Sequence, residues 1–148
     1  MADHTEATIE INADVQVILD VIADLTAYPQ WSQGITSVDV LKVDGERPLR
    51  ARFTLDAGPI KDVYELDYVW HQDRVSWSLA QAGVLTAMDG SYELASTTTG
   101  ATRVRYQLTV DLRIPMMGFM KRAAEKVVID TALKGLKARA EAHGTPAA

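Results

Sequence analysis

Alternation of apolar and polar residues runs through most of this chain. Ala7, Ile9 and Ile11 alternate with Glu6, Thr8 and Glu10, the pattern of a half-buried strand over residues 5–11. The same period of two returns at Leu49, Ala51, Phe53 and Leu55, and at Tyr64, Leu66, Tyr68 and Trp70. It continues at Val75, Trp77 and Leu79, at Met88, Tyr92 and Leu94, and at Val104, Tyr106, Leu108, Val110 and Leu112. Valines at 38, 40 and 43 suggest one more strand, for about seven in all. Turns are marked by "GERP" at 45–48, "AGP" at 57–59, "HQDR" at 71–74 and "STTTGA" at 96–101. Connections this short make neighbouring strands antiparallel, so a single meandering sheet with one covered face is expected.

The period changes twice. Apolar residues at 15, 18, 19, 21, 22 and 25 follow a helical stripe, and Asn12 or Asp14 in the preceding "NAD" is the expected cap. Pro29 in "TAYPQWSQG" limits that helix and predicts a second short helix or turn over 27–33. Pro115 is well placed near the start of a last helix over 116–143, with Gly144 and Pro146 as its stop. That length, roughly 40 Å at 1.5 Å per residue, can cross a sheet. Its expected inward stripe is Met117, Met120, Ala124, Val127, Thr131, Gly135 and Ala138, bulky at the start and small towards the end. The start, "RIPMMGFMKR", is rich in methionine, an adaptable side chain. Those methionines read either as core filler or as a wall that reshapes around apolar guests.

Composition narrows the class. A chain of 148 residues suits one domain. With 47% hydrophobic and 24% charged residues, disorder is expected only at the ends: an ordered core over 5–143 and a short flexible tail over 144–148. The net charge of −5 offers no basic patch for nucleic acid. With no cysteine there is no disulfide or thiol chemistry. The acidic start "MADHTEATIEINAD" is not a secretory signal, and no run approaches the roughly 18 apolar residues of a membrane span. A cytoplasmic protein with no integral membrane segment is expected, as a monomer or weak dimer.

Catalytic chemistry finds little footing. His4, His71 and His143 lie off the apolar strand faces, so neither a histidine base nor a zinc site is expected. There is no Gly-x-Gly-x-x-Gly or phosphate loop, and no cofactor is expected. Strand parity puts Arg50, Arg52, Glu65, Asp67, Arg103 and Arg105 opposite the aromatics, as a wet face with cross-strand ion pairs. The inner face keeps the hydroxyls of Tyr64, Tyr68, Tyr92 and Tyr106, each of which needs a partner in the protein, in water or in a ligand. Asp62 and Asp89 sit near strand ends, where a bulge can reverse parity.

The order strand, two short helices, six antiparallel strands, one long helix resembles the helix-grip fold of the START-like (SRPBCC) superfamily. "ADVQVILDVIADLTAYPQWSQGI" looks like that family's first helix pair, and "MDGSYELASTTTGATRVRYQLTVDL" looks like its last hairpin, with the turn at Gly100-Ala101-Thr102. The closest subgroup in pattern is the small bacterial polyketide cyclase/dehydrase-like proteins. The resemblance implies an α+β domain over 1–148 in which a curved antiparallel sheet wraps around the C-terminal helix and leaves an apolar cavity between them. Joined to the parity above, it implies a lining of Trp31, Phe53, Tyr64, Leu66, Tyr68, Trp77, Met88, Tyr92, Tyr106, Leu108, Met116, Met117, Met120, Ala124 and Val127. The implied function is binding of a hydrophobic small molecule: a lipid, a fatty acyl chain or a polyketide-like compound. Two alternatives stand beside it. One is a cyclase or dehydratase acting on a bound aromatic or polyketide substrate. The other is an interaction protein with a filled core. An inner face without an evident acid or base favours binding, and no catalytic residue is assigned.

Overall fold

The alternating segments become strands, most of them longer than the patterns that announce them. The computed structural model describes residues 5–31, 34–45, 47–57, 60–113 and 118–144. In chain order these form β1 (Thr5–Ile11), α1 (Val15–Ala23), a 3-10 turn (Leu25–Ala27) and α2 (Tyr28–Trp31). There follow β2 (Ile35–Asp44), β3 (Arg47–Ala57), β4 (Ile60–Trp70), β5 (Arg74–Ala82), β6 (Leu85–Ser96), β7 (Thr102–Leu112) and α3 (Gly118–Gly144). All seven strands make one curved antiparallel sheet in the order β1-β7-β6-β5-β4-β3-β2.

From β2 to β7 every strand pairs with its neighbour in sequence, as the short turns require. Gly45 and Gly100 take left-handed φ values of 62° and 85° at two of these turns, where a side chain would strain the backbone. β1 instead pairs with β7, from Thr5↔Leu108 to Ile11↔Thr102, so β1 and β2 occupy opposite edges. The two short helices carry the chain across between them.

Strand parity sorts the faces as expected. Ala51, Phe53, Tyr64, Leu66, Tyr68, Val75, Trp77, Tyr92, Leu94, Val104, Tyr106 and Leu108 are buried in one core. On the other face the registers Arg50↔Asp67 and Arg52↔Glu65 bring opposite charges together. The Arg50 guanidinium donates two bonds to Asp67, at 2.6 and 3.1 Å, and Arg105 bridges Glu6 and Glu93. The Asp67 carboxyl is held below the ordinary aspartate range by the Arg50 hydrogen bond.

The helices close the core from one side. α1 buries Ile18, Leu19, Val21 and Ile22. Asp14 occupies its N-cap with extended backbone, yet the Asp14 side chain makes no capping bond, so the expected cap is positional only. The Asn12 N–H donates instead to Glu141 of α3, 2.9 Å away. Pro29 falls in the first turn of α2, where a missing N–H costs nothing. The Tyr28 hydroxyl donates to the Ile22 carbonyl at 2.6 Å and ties α2 to α1.

α3 lies against β1, β7 and α1, and its phase differs from the expected one. The buried stripe is Glu125, Ile129, Ala132, Leu133, Leu136 and Ala140. Val127 is 64% exposed and Ala138 is exposed, on the far side of the helix. The reason is physical. Apolar residues surround this helix, so steps of three or four fit more than one phase. The larger side chains, Ile129, Leu133 and Leu136, decide it when they dock. Met116 and Met117 lie outside the described residues, as do the side chains of Met120, Ala124 and Trp31.

Candidate functional site

Six aromatic side chains from five adjacent strands share the inner face: Phe53 on β3, Tyr64 and Tyr68 on β4, Trp77 on β5, Tyr92 on β6 and Tyr106 on β7. Sheet register sets them as facing pairs in two runs of neighbouring rings, Phe53–Tyr64 and Tyr68–Trp77–Tyr92–Tyr106. Phe53 stands opposite Tyr64, Tyr68 opposite Trp77, and Tyr92 opposite Tyr106. Ring centroids are 5.3 Å apart for Phe53–Tyr64, 6.0 Å for Tyr68–Trp77, 5.3 Å for Trp77–Tyr92 and 4.4 Å for Tyr92–Tyr106. These are ordinary separations for interacting rings. Tyr28 of α2 joins the row from the helical side, 6.2 Å from Phe53. Leu66, Met88 and Leu108 are buried on the same face.

At one end of the row Trp70 stacks on Tyr68 at 5.9 Å and donates its indole N–H to the Pro48 carbonyl at 2.6 Å. The Arg47 guanidinium stands 5.2 Å over the Trp70 ring and pairs with Asp20 of α1. That link fastens α1 to the β3–β4 end of the sheet.

The hydroxyls of the five tyrosines fall into two groups. Tyr28 donates to the Ile22 carbonyl, and the Tyr92 and Tyr106 rings pack together at 4.4 Å. Tyr64 and Tyr68 have no hydrogen-bond partner among the described residues. Burial raises the pKa of all five phenols, and Tyr28, Tyr64, Tyr68 and Tyr92 are raised further by neighbouring tyrosines. The phenols therefore stay protonated and act as donors.

The described carboxylates that approach the interior are already engaged. Asp62 has the inward parity and sits at the start of β4. Its carboxylate accepts four backbone N–H bonds, from Val63, Gly83, Val84 and Leu85, at 2.9 to 3.0 Å. Burial by itself would raise its pKa, but the four donors outweigh burial and hold it below the ordinary range. Asp62 thus organises the β5–β6 loop. Asp89 is exposed and accepts the Leu79 N–H at 2.8 Å. Glu125 is 0% exposed and spans the α3–β1–β7 seam. It accepts the Thr5 hydroxyl at 2.6 Å and the Val110 N–H at 2.7 Å. His71 is exposed in the β4–β5 turn. Among the described residues no three His, Asp or Glu side chains come together as a metal site.

Of the residues expected on the lining, Phe53, Tyr64, Leu66, Tyr68, Trp77, Met88, Tyr92, Tyr106 and Leu108 come together on one buried face, and Val127 does not join them. Sequence reasoning passed over Tyr28 and Glu125. Tyr28 lay in a segment read for its proline and tryptophan. Glu125 is four residues before Ile129 and shares its stripe, so the correct helix phase would have found it. Among the described residues no helix is long and apolar enough to cross a membrane.

Comparison with known proteins follows the fold. A START superfamily protein from Mycobacterium smegmatis superposes with a TM-score of 0.85 at 20% identity, over 95% of this chain and 98% of its own. A Thermus thermophilus protein gives 0.79 at 21% identity, over 97% and 100%. The Zhui aromatase/cyclase from a Streptomyces species gives 0.76 at 14% identity, over 95% and 94%. No curated protein matches by sequence. A family model described as polyketide cyclase / dehydrase and lipid transport matches residues 2–141. That match spans nearly the whole chain and agrees with the seven-stranded sheet and long last helix, and the chain belongs to the polyketide cyclase/dehydrase and lipid transport family.

Proposed function

We propose that this protein binds a hydrophobic small molecule, a lipid, fatty acyl or polyketide-like compound, against the aromatic inner face of its sheet. The observation that carries the reading is the buried row from Phe53 to Tyr106, with phenol hydroxyls as its polar groups. A surface of this kind holds an apolar guest by desolvation, worth roughly 25 cal/mol per Å² before the costs of association. The methionines at 116, 117 and 120, whose side chains lie outside the described residues, belong to the same proposal as adaptable contacts for the guest. Family membership supports it, since the family's description includes lipid transport.

The same description names cyclase and dehydrase chemistry, and one solved relative in fold is an aromatase/cyclase. An enzyme reading needs an acid or base at the row. Asp62 and Glu125 already hold backbone N–H groups, which favours binding over acid–base work.

Native mass spectrometry of the purified protein, followed by extraction, tests the proposal. The expected result is a co-purifying apolar compound, or uptake from a panel of fatty acids and aromatic polyketides. Met120→Trp should block that uptake with the fold retained. A clean ligand-free mass with no uptake from the panel would contradict the proposal and favour a filled core.

A further inference from the structure

Tyr64 and Tyr68 project from the same strand onto the same face, and they are 4% and 7% exposed. Neither hydroxyl has a hydrogen-bond partner among the described residues, whereas Tyr28 reaches the Ile22 carbonyl. A buried hydroxyl left unpaired is costly, and native proteins rarely keep one. Each of the two therefore calls for an acceptor from outside the chain.

The charge around them restricts what that acceptor is. The carboxylates that bear on the cluster are Asp62, beside Tyr64, and Asp24, beside Tyr28. Asp62 is locked by its four backbone donors. Arg47 stands beyond Trp70 and is paired with Asp20. A carboxylate guest would lose its hydration and meet like charge. A neutral carbonyl oxygen can accept from either phenol at little desolvation cost.

We propose that Tyr64 and Tyr68 are the specificity-determining donors of the apolar site, selecting neutral guests that carry a ketone or ester oxygen over free carboxylates and plain hydrocarbons. The proposal rests on the reading that the inner face binds an apolar guest.

The test uses three probes of similar chain length at neutral pH: methyl undecyl ketone, tridecane and laurate. Binding is followed by tryptophan fluorescence, since Trp77 lies 6.0 Å from the Tyr68 ring. The ketone should bind about tenfold more tightly than either other probe, the equivalent of one to two ordinary hydrogen bonds. The Tyr64→Phe/Tyr68→Phe double variant should bind the ketone no better than tridecane, with tridecane affinity unchanged. Equal affinity of the native protein for ketone and tridecane, tighter binding of laurate, or a ketone preference that survives in the double variant would each overturn the proposal. A ligand-free measurement adds a second check. The double variant should keep or raise the Tm, while Tyr28→Phe lowers it. A lowered Tm in the double variant would mean the two hydroxyls already have partners in the chain, and would also overturn the proposal. Uptake of tridecane without a ketone preference defeats this inference alone, whereas uptake of none of the three defeats the binding reading with it.

Discussion

Trp77 lies across Gly90, its partner in the β5–β6 register. A β-carbon built on Gly90 would stand 2.6 Å from Cζ2 of Trp77 and 2.7 Å from the Gln107 carbonyl oxygen. The missing side chain is what lets the indole lie over β6 at Gly90 while it packs against Tyr68, Tyr92 and Tyr106. Backbone cannot yield here, because Gly90 also pairs with Leu108 in the middle of the sheet. Gly90→Ala should therefore destabilise the fold by about 1–3 kcal/mol, the range for overpacking a filled interior. Denaturant unfolding would measure it, and near-ultraviolet circular dichroism should show Trp77 displaced. Unchanged stability and spectrum would mean the contact is not the constraint described.

Asp62 provides a prediction with a pH signature. Its folded pKa is depressed, so its contribution is complete above the ordinary aspartate range near about 4 and is lost as the pH falls through the folded value. Asp62→Asn turns an amide donor towards the Val84 and Leu85 N–H groups, or towards those of Val63 and Gly83. The variant should lose about 2–3 kcal/mol at neutral pH. The difference from the native protein should shrink as the pH falls below the ordinary aspartate range and through the folded value. Unfolding curves across the acid range would show the two proteins converging. A constant gap would place the effect in packing rather than in charge.

Glu125 joins α3 to two strands at once. The Val110 N–H it accepts lies two residues beyond Leu108, the partner of Thr5 at the first described β1–β7 pair. Glu125→Ala leaves that N–H without this acceptor and should cost at least about 2 kcal/mol. Thr5→Val removes one hydroxyl donor and should cost about 1 kcal/mol. Because both changes touch the same carboxylate, the double variant should lose less than the sum of the two. Val127→Ser, on the exposed side of the same helix, should stay within about 0.5 kcal/mol of the native protein. Additive losses, or a large cost at Val127, would contradict the packing described for α3.

Strand faces were legible in the sequence because a strand has only two. Once Tyr64, Leu66 and Tyr68 alternate with Glu65 and Asp67, the aromatics must share a side and the charges the other. The cross-strand ion pairs Arg50–Asp67 and Arg52–Glu65 follow from that parity and the turn lengths alone. Most of the aromatic row was readable for the same reason.

Three features depended on tertiary structure. The first is the phase of α3. A helix offers many azimuths, and Val127 competes with Ile129 and Leu133 until the sheet selects the larger side chains. The second is the place of β1 beside β7, a pairing between residues about a hundred positions apart that no local turn specifies. The third is the pairing of the tyrosine hydroxyls. The sequence by itself determined which tyrosines face inward. Only the packed sheet and α2 decided that Tyr28 has an acceptor while Tyr64 and Tyr68 have none among the described residues, because a hydrogen bond depends on the direction and distance of one oxygen.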